Sequence, residues 1–225
     1  MLAGGMGTRL KEQFGDLPKP LVPVGGKPFL VRQLEWLAAH DVSEVVLCLG
    51  YGAERVRRAL EGAAAGVQVF YSEEPEPLGT GGALQLAQRW VQGPALVING
   101  DTLPELEPAA LERTRVDRGA LGAVALFELP DVSASGRVEC DEQGTITAFV
   151  EKDPSHQGPG WVNGGCYCFG AALWSWLPEG ASSLERDVLP RLAAAGQLVG
   201  QRLKGAFFDI GTPAGWERAE RRFAA

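Results

Sequence analysis

The sequence predicts an α/β protein: a Rossmann-like, mixed but mainly parallel sheet flanked by helices, with a β-rich second half. Three observations carry this expectation. Two continuous apolar runs, Val45-Val46-Leu47-Cys48-Leu49 and Ala95-Leu96-Val97-Ile98, are each closed by a turn-forming segment, Gly50 and Asn99-Gly100-Asp101; strands buried on both faces read this way. Segments with helical spacing of apolar residues separate the strands of the first half, the grammar of βαβ units with right-handed crossovers. From Ala120 onward, strand candidates follow one another with no helix between them.

The elements follow in order. Pro28 to His40 has Pro in its first turn and Leu30, Leu34, Leu37 and Ala38 on one face, which predicts a helix. After the run from Val45 to Leu49 come a short helix from Ala53 to Leu60 and a strand from Val67 to Tyr71. Gly81 to Trp90 reads as a helix and Ala95 to Ile98 as a strand. In the second half, Leu121 to Phe127, Arg137 to Cys140, Thr145 to Glu151 and Trp161 to Phe169 are strands, the middle two joined by the hairpin turn Asp141-Glu142-Gln143-Gly144. Ser182-Ser183-Leu184-Glu185 has capping-box spacing and opens a helix that Pro190 is expected to kink. Strands Leu198 to Leu203 and Ala206 to Asp209 precede a last helix from Pro213 to Arg222. The stretch from Asp153 to Gly160, rich in Pro, Gly and polar residues, is the segment expected to move most. One domain is expected, with halves meeting near residue 119.

The element before all of these is short. A parallel strand commonly runs about five residues into a glycine-rich loop, whereas only Met1 and Leu2 precede Ala3. The remainder of that strand is expected upstream of Met1. A chain with several more apolar residues before Leu2 is expected to melt higher.

Composition narrows the function classes. With 225 residues, 45% apolar and 22% charged, the chain can bury a substantial core. No apolar run approaches a membrane span, and the start lacks the basic and apolar regions of a signal peptide, so a cytoplasmic location is expected. A net charge of −7 argues against a broad nucleic-acid surface. It leaves room for one small anion held by a few cations, backbone N–H groups and a divalent metal. Of the four cysteines, Cys166 and Cys168 are expected on opposite faces of one strand, unable to share a metal; core packing accounts for them and for Cys48 and Cys140.

Five short segments carry chemistry. Leu2-Ala3-Gly4-Gly5-Met6-Gly7-Thr8-Arg9-Leu10 lets the backbone approach an anion, with the Arg9 fork and the Thr8 hydroxyl beside it. Its spacing is neither that of the P-loop nor that of the dinucleotide fingerprint. In Asp16-Leu17-Pro18-Lys19-Pro20-Leu21, prolines on both sides of Lys19 are expected to present its ammonium from an extended segment. Pro77-Leu78-Gly79-Thr80-Gly81-Gly82-Ala83 is a second glycine-rich turn, at a helix entry, suited to a base or ribose. Asp101 stands just beyond the C-terminal end of a buried strand, where open α/β sheets bind ligands. Asp209, in Phe207-Phe208-Asp209-Ile210-Gly211-Thr212-Pro213, could supply a second carboxylate to Mg²⁺.

Together these segments resemble the sugar-1-phosphate nucleotidyltransferase family. The family's succession of a Gly-rich L-A-G-G-x-G-T-R-L, a P-K-P-L, a G-T-x-x-A turn, a G-D, an E-K, an N-G-G strand and a closing D-x-G-T occurs here in order from Leu2 to Pro213. The resemblance implies a nucleotide-binding half to about residue 119 and a sugar-phosphate-binding half after it. Leu2, Ala3, Gly4, Gly5, Gly7 and Thr8 would hold the triphosphate, with Gly79 and Thr80 against the base. Arg9, Lys19 and Asp101 would act at the reacting centre, and Asp101 and Asp209 would bind Mg²⁺. Gly136, Glu151, Asn163 and Gly165 would line the sugar pocket, with Lys152 on the sugar phosphate.

The implied reaction is attack by a sugar 1-phosphate on the α-phosphorus of a nucleoside triphosphate, which releases pyrophosphate. The nucleophile is already an anion, so alignment and charge neutralisation, not a strong base, should supply the rate. Within the family the sequence looks most like the D-glycero-D-manno-heptose 1-phosphate guanylyltransferase branch. Mannose-1-phosphate guanylyltransferases and the uridylyl- and thymidylyltransferases share much of the pattern. The absence of left-handed β-helix repeats disfavours the bifunctional acetyltransferase and larger hexose members. A catalytically silent nucleotide-sensing subunit would be expected to lose Lys19 or one of the two aspartates, and a glycosyltransferase to carry an Asp-x-Asp motif where Asn99-Gly100-Asp101 stands. The expected partners are the two substrates, with no nucleic acid and no membrane; a homo-oligomer is left open.

Overall fold

The computed structural model describes residues 1–5, 7–91, 93–133 and 135–224, and of Thr8 the backbone alone. The chain forms two compact units that interleave along the sequence. One comprises Met1–Pro77, Asn99–Leu103 and Phe208–Ala225, the other Leu78–Ile98 and Pro104–Phe207. No helix among the described residues is long and apolar enough to cross a membrane.

In the first unit, strand Glu44–Leu49 runs parallel to Gln68–Glu73. Both are richer in β-branched and aromatic residues than their flanks, as a pleated buried surface favours. On the other side of Glu44–Leu49, Leu2 makes parallel bridges to Cys48 and to Asn99. The Ala3 N–H donates to Cys48, the Cys48 N–H to Met1 and the Gly100 N–H to Leu2, each at 2.9 Å. Three residues thus do the pairing of the expected short strand on both sides. The Met1 ammonium is buried, donates to the Val46 carbonyl at 2.8 Å, and has its pKa lowered by that burial. Helix Phe29–Ala39 buries Phe29, Leu30, Val31, Gln33, Leu34 and Leu37, and helices Ala53–Leu60 and Pro213–Phe223 lie as the periodicity predicts, to within a residue. A separate core of Leu10, Val22, Val24, Phe29, Leu103, Phe208, Ile210 and Ala219 joins the loop region to the last helix.

The second unit holds a four-stranded sheet in the order Leu198–Leu203, Gly122–Leu129, Gly160–Phe169, Ala95–Ile98. Leu198–Leu203 is parallel to its neighbour, and Gly160–Phe169 is antiparallel to both of its own. The fold is therefore a mixed α/β one. The hairpin Arg137–Cys140 with Ile146–Val150 turns where predicted: the Asp141 carboxylate accepts the N–H groups of Gln143 and Thr145, and Gly144 takes a positive φ of 84°.

Four local expectations are corrected. Lys19 does not sit in an extended segment; Lys19–Leu21 is a 3₁₀ turn in which the Leu21 N–H reaches Pro18 and the Val22 N–H reaches Lys19. Pro20 fits its opening because a first turn needs no N–H there. The helix cap is Ser183, not Ser182: its hydroxyl accepts the Arg186 N–H at 3.2 Å and Asp187 accepts the Ser183 N–H at 2.7 Å. The Pro190 disturbance appears upstream of the proline, as a π turn over Leu184–Val188 that passes into helix Leu189–Ala194. Finally, residues two apart on a strand share a face, so Cys166 and Cys168 do too. Both are buried, and burial pushes the Cys168 thiol up to about 12. Among the described residues there is no group of three or more metal-ligating side chains.

Candidate active site

The site is built from loops of the first unit. Gly4 lies where a Cβ would come within 2.7 Å of the Glu74 carboxylate and 3.1 Å of the Gly50 nitrogen, so the loop can pass the end of strand Glu44–Leu49 only without a side chain there. Gly7 has a φ of +64°, a region open to glycine and costly for other residues, and a Cβ on it would stand 3.0 Å from the Lys19 Cβ. The Leu10 N–H then closes a turn on the Gly7 carbonyl at 3.0 Å. Gly5 and Arg9 are exposed, while Ala3 is buried and its N–H is engaged in the sheet. The Thr8 side chain lies outside the described residues.

Lys19 crosses beneath Gly7 and its ammonium meets Asp101 Oδ2 in a short ion pair, with side chains 17% and 29% exposed. Asp101 is brought there by Gly100, whose missing Cβ would otherwise stand 2.6 Å from the Leu2 carbonyl. The Asp101 carbonyl accepts the Ile210 N–H at 2.9 Å, which fastens the segment carrying Asp209 alongside. Thr102 Oγ1 donates to Asp101 Oδ1 at 3.1 Å, and the Gly211 N–H donates to Asp209 Oδ1 at 2.6 Å.

Gly7, Arg9, Lys19, Asp101, Asp209 and Gly211 line one cavity of about 190 Å³. Burial raises the Asp209 carboxyl above its ordinary range, and the Asp101 charge raises it further; the Gly211 N–H, Lys19 and Arg9 act in the opposite sense. Two carboxylates that repel each other in a polar cavity are a hard-oxygen donor set, the kind Mg²⁺ takes alongside phosphate oxygens. Asp101 and Asp209 are accordingly the residues that could hold a divalent cation.

Sequence reasoning missed Gly211 as a member of the site. A Cβ on it would lie 2.7 Å from Asp209 Oδ1, 3.0 Å from the Lys19 ammonium and 3.5 Å from Asp101 Oδ2. Gly211 is thus the space in which the three charged groups face one another. Its place in Asp209-Ile210-Gly211-Thr212 was the available signal.

The remaining predicted residues belong to the second unit. Gly79 is exposed with a φ of +70°, and a Cβ on it would meet the Ser182 carbonyl at 2.5 Å. The Thr80 hydroxyl donates to Glu185 at 2.6 Å and accepts the Leu184 N–H at 2.8 Å. This glycine-rich turn therefore has a packing role against residues 180–185. Asn163 sits at an irregularity of strand Gly160–Phe169: its Oδ1 accepts the Gly165 N–H at 3.0 Å and its Nδ2 donates to the Tyr167 hydroxyl at 2.9 Å. Gly165 takes a φ of +67° there. A Cβ on Gly136 would lie 3.2 Å from the Val150 carbonyl, and Glu151 and Lys152 follow that strand end, exposed.

This arrangement has close relatives. The nucleotidyl transferase family model matches residues 1–224. The chain is 36% identical over 167 residues to D-glycero-alpha-D-manno-heptose 1-phosphate guanylyltransferase of Campylobacter jejuni, covering 74% of this chain and 73% of that protein. It is 34% identical over 218 residues to mannose-1-phosphate guanylyltransferase catalytic subunit beta of Drosophila pseudoobscura pseudoobscura, covering 95% of this chain and 58% of that protein. The chain thus spans about three fifths of the length of that relative. A crystal structure of HddC from Yersinia pseudotuberculosis superposes with a TM-score of 0.89 at 35% identity, over 99% of this chain and 97% of that one. The same protein has been seen complexed with GMP-PN, at a TM-score of 0.88 over the same shares of the two chains and 34% identity. By the match over nearly its whole length and by these relatives, the chain belongs to the nucleotidyl transferase family.

Proposed function

We propose that the protein transfers a nucleoside monophosphate from a nucleoside triphosphate to a sugar 1-phosphate, forming a nucleoside-diphosphate sugar and pyrophosphate. The observation that carries this reading is the convergence of Arg9, Lys19, Asp101 and Asp209 on one glycine-walled cavity. Two cations and two carboxylates in so small a space suit a polyphosphate with its divalent cation better than any neutral ligand. The relatives' names favour a guanine nucleotide with a heptose or mannose 1-phosphate; a uridylyl- or thymidylyltransferase for glucose-1-phosphate-like sugars is the alternative. In this reading the reaction takes place in the cytoplasm, the location expected from the sequence.

In this reading an oxygen of the sugar phosphate attacks the α-phosphorus and the bond to the β-phosphate oxygen breaks, with no proton to remove from the nucleophile. Arg9 and Lys19 neutralise phosphate charge and hold the chain of phosphates in line. Mg²⁺, held by Asp101 and Asp209 when bound, supplies further neutralisation of the phosphate oxygens. Gly4, Gly5 and Gly7 let the triphosphate lie against the backbone. Gly79 and Thr80 for the base, and Gly136, Glu151, Lys152, Asn163 and Gly165 for the sugar phosphate, are part of the same proposal, supported by the family's motif order.

A substrate panel tests it: five nucleoside triphosphates against mannose-, heptose-, glucose- and N-acetylglucosamine 1-phosphates, scored by pyrophosphate release. We expect the guanine nucleotide with the heptose or mannose phosphate to be used best. Lys19→Ala and Asp101→Ala should each lower turnover by about a hundredfold or more, the scale of a lost electrostatic contact in a transition state. Near-normal release by both variants would sink the assignment.

A further inference from the structure

We infer that Gln33 is a positioning residue for Asp101, and through it for the divalent cation; the inference rests on the function proposed above. Gln33 lies on helix Phe29–Ala39 and is fully buried. Its Nε2 donates twice, to the Asn99 carbonyl at 3.0 Å and to the Thr102 carbonyl at 2.7 Å. Those carbonyls bracket Asp101. A side-chain amide nitrogen has two protons, and this one uses both on the turn that carries the carboxylate. Two carbonyl acceptors also settle which end of the amide faces them, since the amide oxygen would be repelled there.

Other bonds to this segment leave a task for Gln33. The Gly100 N–H to Leu2 and the Ile210 N–H to Asp101 fix the backbone at residues 100 and 101. Thr102 also opens strand Thr102–Pro104, which pairs with Phe207–Asp209. Gln33 adds a bond to the Thr102 carbonyl, and the hydroxyl of that same Thr102 donates to Asp101 Oδ1 at 3.1 Å. A path of two hydrogen bonds therefore runs from the buried amide to the carboxylate oxygen. Gln33 Oε1 has no partner among the described residues. A buried acceptor left so is a liability, and the residue is explained by what its nitrogen holds.

The test uses Mn²⁺ as the probe, titrated by electron paramagnetic resonance into the full chain with saturating inorganic tripolyphosphate, which supplies phosphate oxygens without a base. Gln33→Met keeps the volume and removes the amide. We expect its Mn²⁺ affinity to fall about tenfold or more, as loss of an outer-shell partner does, while the apparent KM for the nucleotide stays within about twofold in steady-state assays and the metal concentration for half-maximal rate rises. A merely structural role would lower the melting temperature and leave the Mn²⁺ affinity of the folded fraction unchanged, which would overturn the inference. Should Gln33→Met not fold, Thr102→Val decides, because it keeps the carbonyl and removes the hydroxyl relay: a clear loss of Mn²⁺ affinity supports the path, and unchanged affinity overturns it. Mn²⁺ binding that depends on Gln33 in a protein inactive with every substrate pair would sink the proposed function and leave this inference standing. An active enzyme whose Mn²⁺ binding ignores Gln33 would do the reverse.

Discussion

Asp209 carries the clearest conflict between stability and use. Its carboxyl is raised by burial and then by Asp101, so the folded chain holds that proton more tightly than the unfolded one. For a carboxyl raised in this way, the favourable contribution is fully present below the unfolded value and is lost as pH rises through the folded one. Near neutral pH the ionised group therefore opposes folding. We expect Asp209→Asn to raise the melting temperature at pH 7 by about 2–4 °C, the shift that roughly 1 kcal/mol produces in a chain of this size, and to abolish metal-dependent turnover. Calorimetry from pH 4 to pH 8 checks the cause: the gap between variant and wild type should open as pH rises above the carboxylate range, and a gap independent of pH would assign the gain elsewhere. Arg9, Lys19, Asp101 and Asp209 were legible in the sequence because each sits in a distinctive local setting. Gly211 and Gln33 were not, because what matters in each is a neighbour distant in the chain. Gly211 offers an absence of side chain, and Gln33 looks like any polar residue on a helix until its burial is known.

Many elements were predicted to within a residue or two, although helix Pro108–Asp117 was not predicted and the helix expected over Gly81–Trp90 spans Gly79–Ala87. Ala53–Leu60, Ala95–Ile98, Arg137–Cys140 and Leu198–Leu203 have the expected bounds. The glycine-rich turn at Gly79–Gly82 shows where such reading ends. Composition does not report its packing: a Cβ at Gly82 would lie 2.5 Å from the Gly180 carbonyl and 2.9 Å from the Leu78 Cβ. Two effects oppose each other in Gly82→Ala. Helix propensity gains about 1 kcal/mol, whereas overpacking a buried contact against backbone costs typically about 1–3 kcal/mol. We expect the clash to win and urea unfolding to show a net loss of about 1–2 kcal/mol. A variant more stable than wild type would show that the segment around Gly180 yields, and that the glycine is there for something else. The Ser182-to-Ser183 shift of the helix cap also depends on distant packing: both serines have the right chemistry, but Ser182 lies against the glycine turn, its carbonyl accepting the Gly81 N–H at 2.8 Å and its buried hydroxyl without a partner among the described residues.

At the scale of the whole molecule, ligand binding and stability are one measurement. A ligand that binds only the folded chain stabilises it by about 2.7 kcal/mol at a hundred times its dissociation constant, which for a chain this long corresponds to a rise of roughly 5–10 °C. We expect such a rise with the preferred nucleoside triphosphate and Mg²⁺ together, and a smaller one with the nucleotide and a chelator. Comparing the four common bases in this way ranks base preference without any turnover. Equal shifts with and without the cation would speak against Asp101 and Asp209 as its ligands. The net charge of −7 does not oppose this binding, because the cavity presents Arg9 and Lys19 at short range, where local charge outweighs the screened field of the whole surface.

By itself the sequence determined the alternation of strands and helices, the change to a β-rich second half, the places where glycine must stand, and a set of charged residues whose order along the chain marks the family. These are properties of short segments, set by backbone sterics and by which face of an element is apolar. Only the tertiary structure decided that Gly160–Phe169 runs antiparallel to both neighbours, that the turn at Gly79 packs against Ser182, and that Lys19, Asp101, Asp209 and Gly211 share one cavity. Strand order and loop packing bring together residues remote in the chain, and side-chain period reports the face of a residue but not who stands opposite it.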